Sequence, residues 1–456
     1  MFPIIAVVIV IIFTAKLILK GYKTEPVLLI SGLILMALSG FLGWGEILHS
    51  SIKSTNIAAF DLFRYIQDLM SHRVASLGLM IMSLVGFAEY MTYIGADAVI
   101  VRGAVKPLSR IKNKNILLFF AYIVGALLQL AVPSATALAV LLMVTLYPIM
   151  VGLGISRGSA AAVIASSLAL TFTPLGVDAI RASEALHLDL MTYIVSYQAP
   201  TSLVALLAVG ITHVFWQSCC DKKLGTTDGS STNRMSSQEA DVERAPTIYG
   251  ILPVLPIIFA VVFSKLVIDS VNLDVTTIVF ISMFIAMVFE GIRRRSLKIL
   301  FDGFNVFMKG MGNAFSTVVF LLVAAGVFAY GIQSTGAITH LVELAKQVGM
   351  PFVGLTFLFA LVVGVASIIM GSGNAAFLSF VEIIPTIAKS MNADPILMML
   401  PIQEASALGR AASPVAACVI VAASGAKIST FDVVKRTSIP ILVGFITHFI
   451  AVLILI

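Results

Sequence analysis

The sequence predicts an all-α polytopic membrane protein, an inverted repeat with about 10 transmembrane helices and two re-entrant hairpins. Three observations lead there. Of the 456 residues 59% are apolar and 11% charged, with a mean hydropathy of +1.05, whereas soluble domains carry about 25% charged residues. Uncharged runs of about 20 residues, enough to cross a roughly 30 Å hydrocarbon core, recur from end to end. Two other apolar stretches are interrupted halfway by small polar residues, and the interruptions recur at one spacing in the two halves of the chain.

The first apolar run, 2–15, has no basic segment ahead of it and no small-residue cleavage site, so it reads as a retained span over 2–19. A second span covers 26–43. Residues 44–75 form a polar excursion in which FDLFRYIQDLM has the spacing of an amphipathic interfacial helix. A span at 76–100 precedes the first hairpin, 115–152, whose arms meet at PSAT, 133–136. A broken helix, 158–186, is interrupted at TFTPLG, 171–176, and a span at 191–216 closes the first repeat, 1–217. Residues 218–247 are rich in Ser, Thr and Gly with mixed charge and read as a flexible cytoplasmic linker. The second repeat, 248–456, holds spans at 248–270, 275–291, 313–334 and 437–456. Its hairpin, 351–389, turns at GSGN, 371–374, and its broken helix, 396–424, is interrupted at GRAASPV, 409–415.

Charge sets the orientation, because lysine and arginine concentrate on the cytoplasmic side. With both termini outside, 21 of the 29 basic residues fall in cytoplasmic segments, including 102–114, 222–244 and 293–309. Seven, among them Arg73 and Arg181, fall on the outer side or its margin, and Arg410 is left inside the membrane. Reading either hairpin as a full span would reverse everything after it.

The repeat itself rests on constant offsets. Pro174 and Pro414 are 240 residues apart, as are Pro200 and Pro440; Gly95 and Gly336 are 241 apart, and Ser134 and Ser372 238. An odd number of crossings per half makes the second copy inverted, the arrangement of secondary transporters with midplane sites at discontinuous helices.

Unpaired backbone groups in hydrocarbon cost several kcal/mol each, so breaks at membrane depth persist where they are buried in protein or line a cavity. Each break frees a helix N-terminus, an electropositive site for a carboxylate. Gly371 and Gly373 allow close backbone approach, while Ser372 and Asn374 offer hydrogen bonds and cap an arm starting at Ala375. Ser134 and Thr136 are the first-half counterparts. Tight helix packing is the other use of such small residues. Arg410, beside Ser413 in the second break, is expected to pair with a substrate carboxylate; the alternative is a structural ion pair with Glu404 or Glu382. Glu382 and Asp178 are candidates to carry a coupling proton, Glu89 lies inside the 76–100 span, and a structural role is open to each.

Six scattered histidines show no metal spacing, and Cys219, Cys220 and Cys418 cannot build a disulfide framework. No metal, cofactor or nucleic-acid partner is expected. Nothing clusters as paired acids or an activated nucleophile, which argues against an enzyme. An anion channel could also use half-helices, but it has no need of an inverted repeat with an arginine at one break.

GSGNAAF at 371–377, GRAASPV at 409–415 and FDVVKRTSIP at 431–440 resemble stretches of the DcuC-type C4-dicarboxylate carriers of bacterial inner membranes. Through them the chain is similar to the wider ion-transporter superfamily. The resemblance implies succinate, fumarate or malate transport by a homodimer whose transport domain slides like an elevator. Carried over by position, it implies substrate contacts from the tips Ser134-Ala135-Thr136 and Ser372-Gly373-Asn374, with Thr173 and Ser413 at the breaks. The first tip lacks the asparagine of the sodium-coupled pattern, so proton coupling is expected over sodium, with Glu404 joining Glu382 and Asp178 as coupling candidates. Moving a dianion across 100 mV involves about 4.6 kcal/mol. Efflux or exchange is therefore expected, in an inner-membrane protein with both termini periplasmic. Another organic anion, a monocarboxylate or aromatic acid, is the alternative substrate.

Overall fold

The computed structural model describes all residues except 1, 21, 49–51, 171, 225–244, 264–270, 272, 338–339, 341–342 and 344–346. Most of the expected linker 218–247, the end of the expected span 248–270, and Thr171 of the first break lie outside the described residues. Every regular element among the described residues is helical.

The first half runs α1 (Phe2–Leu19), α2 (Thr24–Leu42), α3 (Ala58–Arg73), α4 (Leu79–Tyr93), α5 (Ala96–Val105), α6 (Lys114–Leu128), α7 (Ala135–Gly152), α8 (Arg157–Ser167), α9 (Val177–Ala185) and α10 (Ala199–Leu224). The second runs α11 (Leu255–Val262), α12 (Val275–Arg294), α13 (Leu297–Ala314), α14 (Phe320–Ser334), α15 (Phe352–Met370), α16 (Gly373–Phe380), α17 (Ile396–Ala411), α18 (Ala417–Ala426) and α19 (Thr430–Leu455). Among the described residues seven helices are long and apolar enough to cross a membrane, eight if the bent pair α4 and α5 is one span. The chain is a multi-pass α-helical membrane protein. Two of the seven, Ala135–Gly152 and Phe352–Met370, are arms of the expected hairpins. Of the ten spans read from the sequence, the two interrupted ones are split into helices too short to cross alone, and the described parts of the spans 2–19 and 248–270 are also shorter.

Three elements differ from the sequence reading. The amphipathic helix α3 does not stop at the interface but runs through a π-helical turn, Val74–Gly78, into α4. The expected straight span 76–100 turns by 74° between α4 and α5, where Gly95 takes φ +74°, a conformation that disfavours other residues. The segment 293–309, left between spans in the sequence reading, is largely α13, which continues through a second π turn, Phe315–Val319, into α14. Lys298, Asp302 and Lys309 had lowered its hydropathy, yet they share the exposed face, while Gly303, Phe307, Gly310 and Ala314 are buried. A helical period hides behind the charge.

Small residues bring the long helices together. A Cβ on Gly32 of α2 would come within 2.6 Å of the Phe328 backbone nitrogen on α14, and one on Gly409 of α17 within 2.4 Å of the Gly364 carbonyl oxygen on α15. Backbones that close need glycine, as in membrane helix pairs generally.

Local geometry also recurs between the halves. The π turns start 241 residues apart, at Val74 and Phe315, and Gly95 and Gly336 both take positive φ, +74° and +70°. Ser134 and Ser372 each cap a helix through the side chain, accepting from Ala137 and Ala375. The Thr173 Oγ1 accepts from the Leu175 amide at 3.3 Å, and the Ser413 Oγ accepts from the Val415 amide at 3.3 Å, 240 residues later.

Candidate functional site

A cavity of about 320 Å³ lies where the interrupted elements meet, at the lower end of the range for small-molecule sites. Its lining draws on seven places in the chain, one of them Val318 in the second π turn. Gln129, Val132, Pro133 and Ser134 come from the turn between α6 and α7; Thr173 and Leu175 to Asp178 from the first break; Gly373 and Asn374 from the start of α16; Ser406, Ala407 and Arg410 from the end of α17; Glu89 and Thr92 from α4; and Asp97 from α5.

Each lining element is placed by its own chemistry. Leu128 ends α6 and Pro133 keeps the chain extended, so Ser134 is the N-cap of α7. In the second turn Gly371 takes φ +67° as the C-cap of α15, and Ser372 caps α16, which therefore begins at Gly373 rather than at Ala375. The first break leaves the carbonyls at the end of α8 without helical partners. Gln129 Nε2 donates to the Ser167 and Leu170 oxygens at 2.9 and 3.2 Å, and Arg410 Nη2 donates to the Leu168 oxygen at 2.5 Å.

Arg410 is the cavity's basic residue. One of its terminal nitrogens is held by Leu168, and its buried Nε has no hydrogen-bond partner. Among the described residues no carboxylate lies within 4 Å of it. The alternative of an ion pair with Glu382 fails because Glu382 is taken by Arg73, at 2.5 Å, and by Arg181. Pairing with Glu404 fails as well: Glu404 accepts from Ser202 Oγ at 3.1 Å and faces His448.

Three helix N-termini reach the lining, those of α7, α9 and α16. Asp178 occupies the first turn of α9, so that end already carries its own carboxylate. Two ends and the Arg410 fork remain to receive an anion. The fourth end, at Ala416 before α18, contributes no lining residue, and Arg410 supplies the positive charge from the same break.

Of the residues singled out in the sequence, Glu89, Ser134, Thr173, Asp178, Gly373, Asn374 and Arg410 line this one cavity. Ala135 and Thr136 lie in the first turn of α7 and Ser372 at the cap of α16, next to lining residues. Ser413 is fully buried in its turn. Glu382 and Glu404 lie outside the lining, the first in the arginine cluster and the second buried against Ser202. Gln129, Thr92, Asp97 and Ser406 were not anticipated. Thr92 Oγ1 donates to Asp97 Oδ2 at 2.8 Å across the α4–α5 bend, and Gln403 Nε2 donates to Asp178 Oδ2 at 3.0 Å. The Gln129 role had a sequence signal: Gln129 and Ser367 are 238 residues apart, the offset of the two tips, and Ser367 Oγ likewise donates to a backbone oxygen, that of Ser406, at 2.6 Å.

The Neisseria gonorrhoeae MtrF structure superimposes with a TM-score of 0.63 over 96% of each chain at 12% identity. The Alcanivorax borkumensis YdaH transporter does so with 0.61 over 94% of this chain and 97% of its own at 14% identity. These two speak to fold alone. In sequence, the anaerobic C4-dicarboxylate transporters DcuC of Escherichia coli strain K12 and Shigella flexneri are each 41% identical over 448 residues, 97% of this chain and 95% of theirs. The profile of the family described as "DcuC: C4-dicarboxylate anaerobic carrier" matches residues 2–456, so the chain belongs to the DcuC family.

Proposed function

We propose that this protein is a secondary transporter of C4-dicarboxylates such as succinate, fumarate and malate across the bacterial inner membrane. It works by efflux or exchange and is coupled to protons. The observation that carries the reading is Arg410, a basic residue with no carboxylate of its own, facing a cavity that two capped helix N-termini also enter. A four-carbon dianion has one carboxylate for the guanidinium fork and one for the backbone donors at the tips. On this reading Ser134, Ala135 and Thr136 present the first tip and Ser372, Gly373 and Asn374 the second, while Thr173 and Ser413 hold the breaks open.

The domain reading belongs with it: residues 1–217 and 248–456 as two inverted repeats joined by the cytoplasmic linker 218–247, with hairpins at 115–152 and 351–389. The recurring caps, π turns and left-handed glycines support the repeat, since offsets that agree to within three residues would be a coincidence in unrelated segments. Elevator movement, a homodimer and periplasmic termini complete the proposal. Coupling falls to Asp178, Glu382 or Glu404. Uptake of a dianion against an inside-negative potential requires accompanying cations or exchange, at about 2.3 kcal/mol per charge per 100 mV.

The test is labelled succinate flux in proteoliposomes holding the purified protein, challenged with a panel of anions. Fumarate and malate are expected to compete at similar concentrations, and internal succinate to stimulate uptake. Competition by monocarboxylates or aromatic acids alone would replace the substrate class. The same assay reads the second tip. A Cβ on Gly373 would stand 2.8 Å from the Ser406 backbone oxygen, and overpacking of this kind costs about 1–3 kcal/mol. Gly373→Ala is therefore expected to raise the half-saturating succinate concentration roughly tenfold.

A further inference from the structure

Behind the cavity, two ionisable side chains are buried face to face. Glu404 on α17 and His448 on α19 are 2% and 1% exposed, and Glu404 Oε2 lies 3.9 Å from His448 Nε2. Ser202 Oγ on α10 donates to that same oxygen, but Glu404 Oε1 and His448 Nε2 have no hydrogen-bond partner. A buried polar group left this way is costly, and a buried unpaired carboxylate more so. One proton shared by the two side chains makes the pair neutral, either as carboxylic acid beside imidazole or as carboxylate beside imidazolium. None leaves a bare anion, and two leave a bare cation.

We propose that Glu404 and His448 together form the site for the coupled proton. The inference rests on the carrier reading above and assigns a role that the family name does not carry. Position favours this pair over the other two acids. Glu382 is held between Arg73 and Arg181, so protonating it would break both contacts. Asp178 lines the substrate cavity and accepts from Gln403. Glu404 stands six residues before Arg410 on the same helix, about 9 Å along its axis. A dianion arriving at Arg410 offsets the guanidinium charge and adds negative charge, which favours the protonated pair.

Other ionisable groups surround the pair, and His213 on α10, the helix packed against α19, is buried and bonded to Ser166 and Gln217. Tyr122 on α6, Tyr193 before α10, Asp178 on α9 and Arg410 are the ionisable groups that act on Glu404. The packed helices α15 and α16 bring none. Arg157, Asp432, Lys435 and Arg436 sit near the starts of α8 and α19, and Lys389 is exposed.

The experiment compares two modes of labelled succinate flux in proteoliposomes of the full chain: exchange without gradients, and net uptake driven by an inward pH gradient. Glu404→Gln and His448→Gln are each expected to lower the ratio of pH-driven uptake to exchange at least tenfold. A ratio within twofold of wild type in both variants overturns the proposal, as does net uptake driven by a sodium gradient instead. Absence of succinate exchange in the wild type overturns the carrier reading, which is a different outcome. Infrared difference spectra of the wild type on succinate addition serve if the variants do not fold. A protonated-carboxyl band or an imidazolium band that appears with substrate supports the pair, and the absence of both between pH 6 and 8 overturns it.

Discussion

Glutamine at position 410 is expected to weaken succinate binding roughly thirtyfold or more, measured as the half-saturating concentration for exchange in proteoliposomes. Truncating one partner of a buried, hydrogen-bonded charge pair costs about 2–5 kcal/mol, and each 1.4 kcal/mol is a factor of about ten. The partner at stake is the substrate itself, because Arg410 has no carboxylate among the described residues and keeps an unpartnered Nε. The glutamine amide can still donate to the Leu168 oxygen, which now accepts from Arg410 at 2.5 Å, so the end of α8 need not be left bare. Arg410→Lys separates charge from shape: it keeps the charge but loses the planar fork, and an intermediate affinity is expected. Unchanged affinity in both variants would remove Arg410 from the binding site and leave the cavity without its principal cation.

The parts of this site that were legible in the sequence are those where the backbone has to do something a helix cannot. Pro174, Pro414, Gly371 and the two tip serines mark their positions because proline lacks a donor, glycine tolerates positive φ and serine caps. Each keeps that meaning in any context. Arg410 was legible for a similar reason, since an arginine inside hydrocarbon needs an explanation. The other wall of the cavity was not. Thr92 and Asp97 lie on helices whose rotation is set by packing, and a polar residue in an apolar run, Glu89 included, does not state which way it faces. The bend that brings Thr92 and Asp97 together depends on the conformation of Gly95, which the sequence offers only as a permitted option. The start of α13 was missed because its charges were counted rather than placed around a helix. Hardest to foresee was the pairing of Arg181 with Glu382, 201 residues away, which moves an arginine assigned to the outer margin into a buried cluster. Contacts at that separation are products of the assembled fold.

That cluster carries the second large expectation. Arg73, at the end of α3, reaches Glu382 at 2.5 Å and Glu184 at 3.3 Å, and Arg181 contacts the same two carboxylates. The Arg181 side chain is 3% exposed and that of Glu382 21%, so water screens them little. The four charges join α3, α9 and the turn after α16, and the last two of these elements also supply lining residues or follow directly on them. Removing one partner from a buried ion pair destabilises by about 3–5 kcal/mol, because the remaining charge stays buried without compensation. Glu382→Gln leaves two guanidinium groups sharing Glu184 alone. Its loss of stability, read from thermal unfolding of the detergent-solubilised protein, is expected in that range. Adding Arg73→Gln restores the balance of one cation to one anion, so the double variant is expected to be less destabilised than the sum of the singles. The interaction energy from that double-mutant cycle is the decisive quantity. If it is near zero, the four groups are solvated individually rather than as a network, and the junction of α3, α9 and α16 is held by apolar packing.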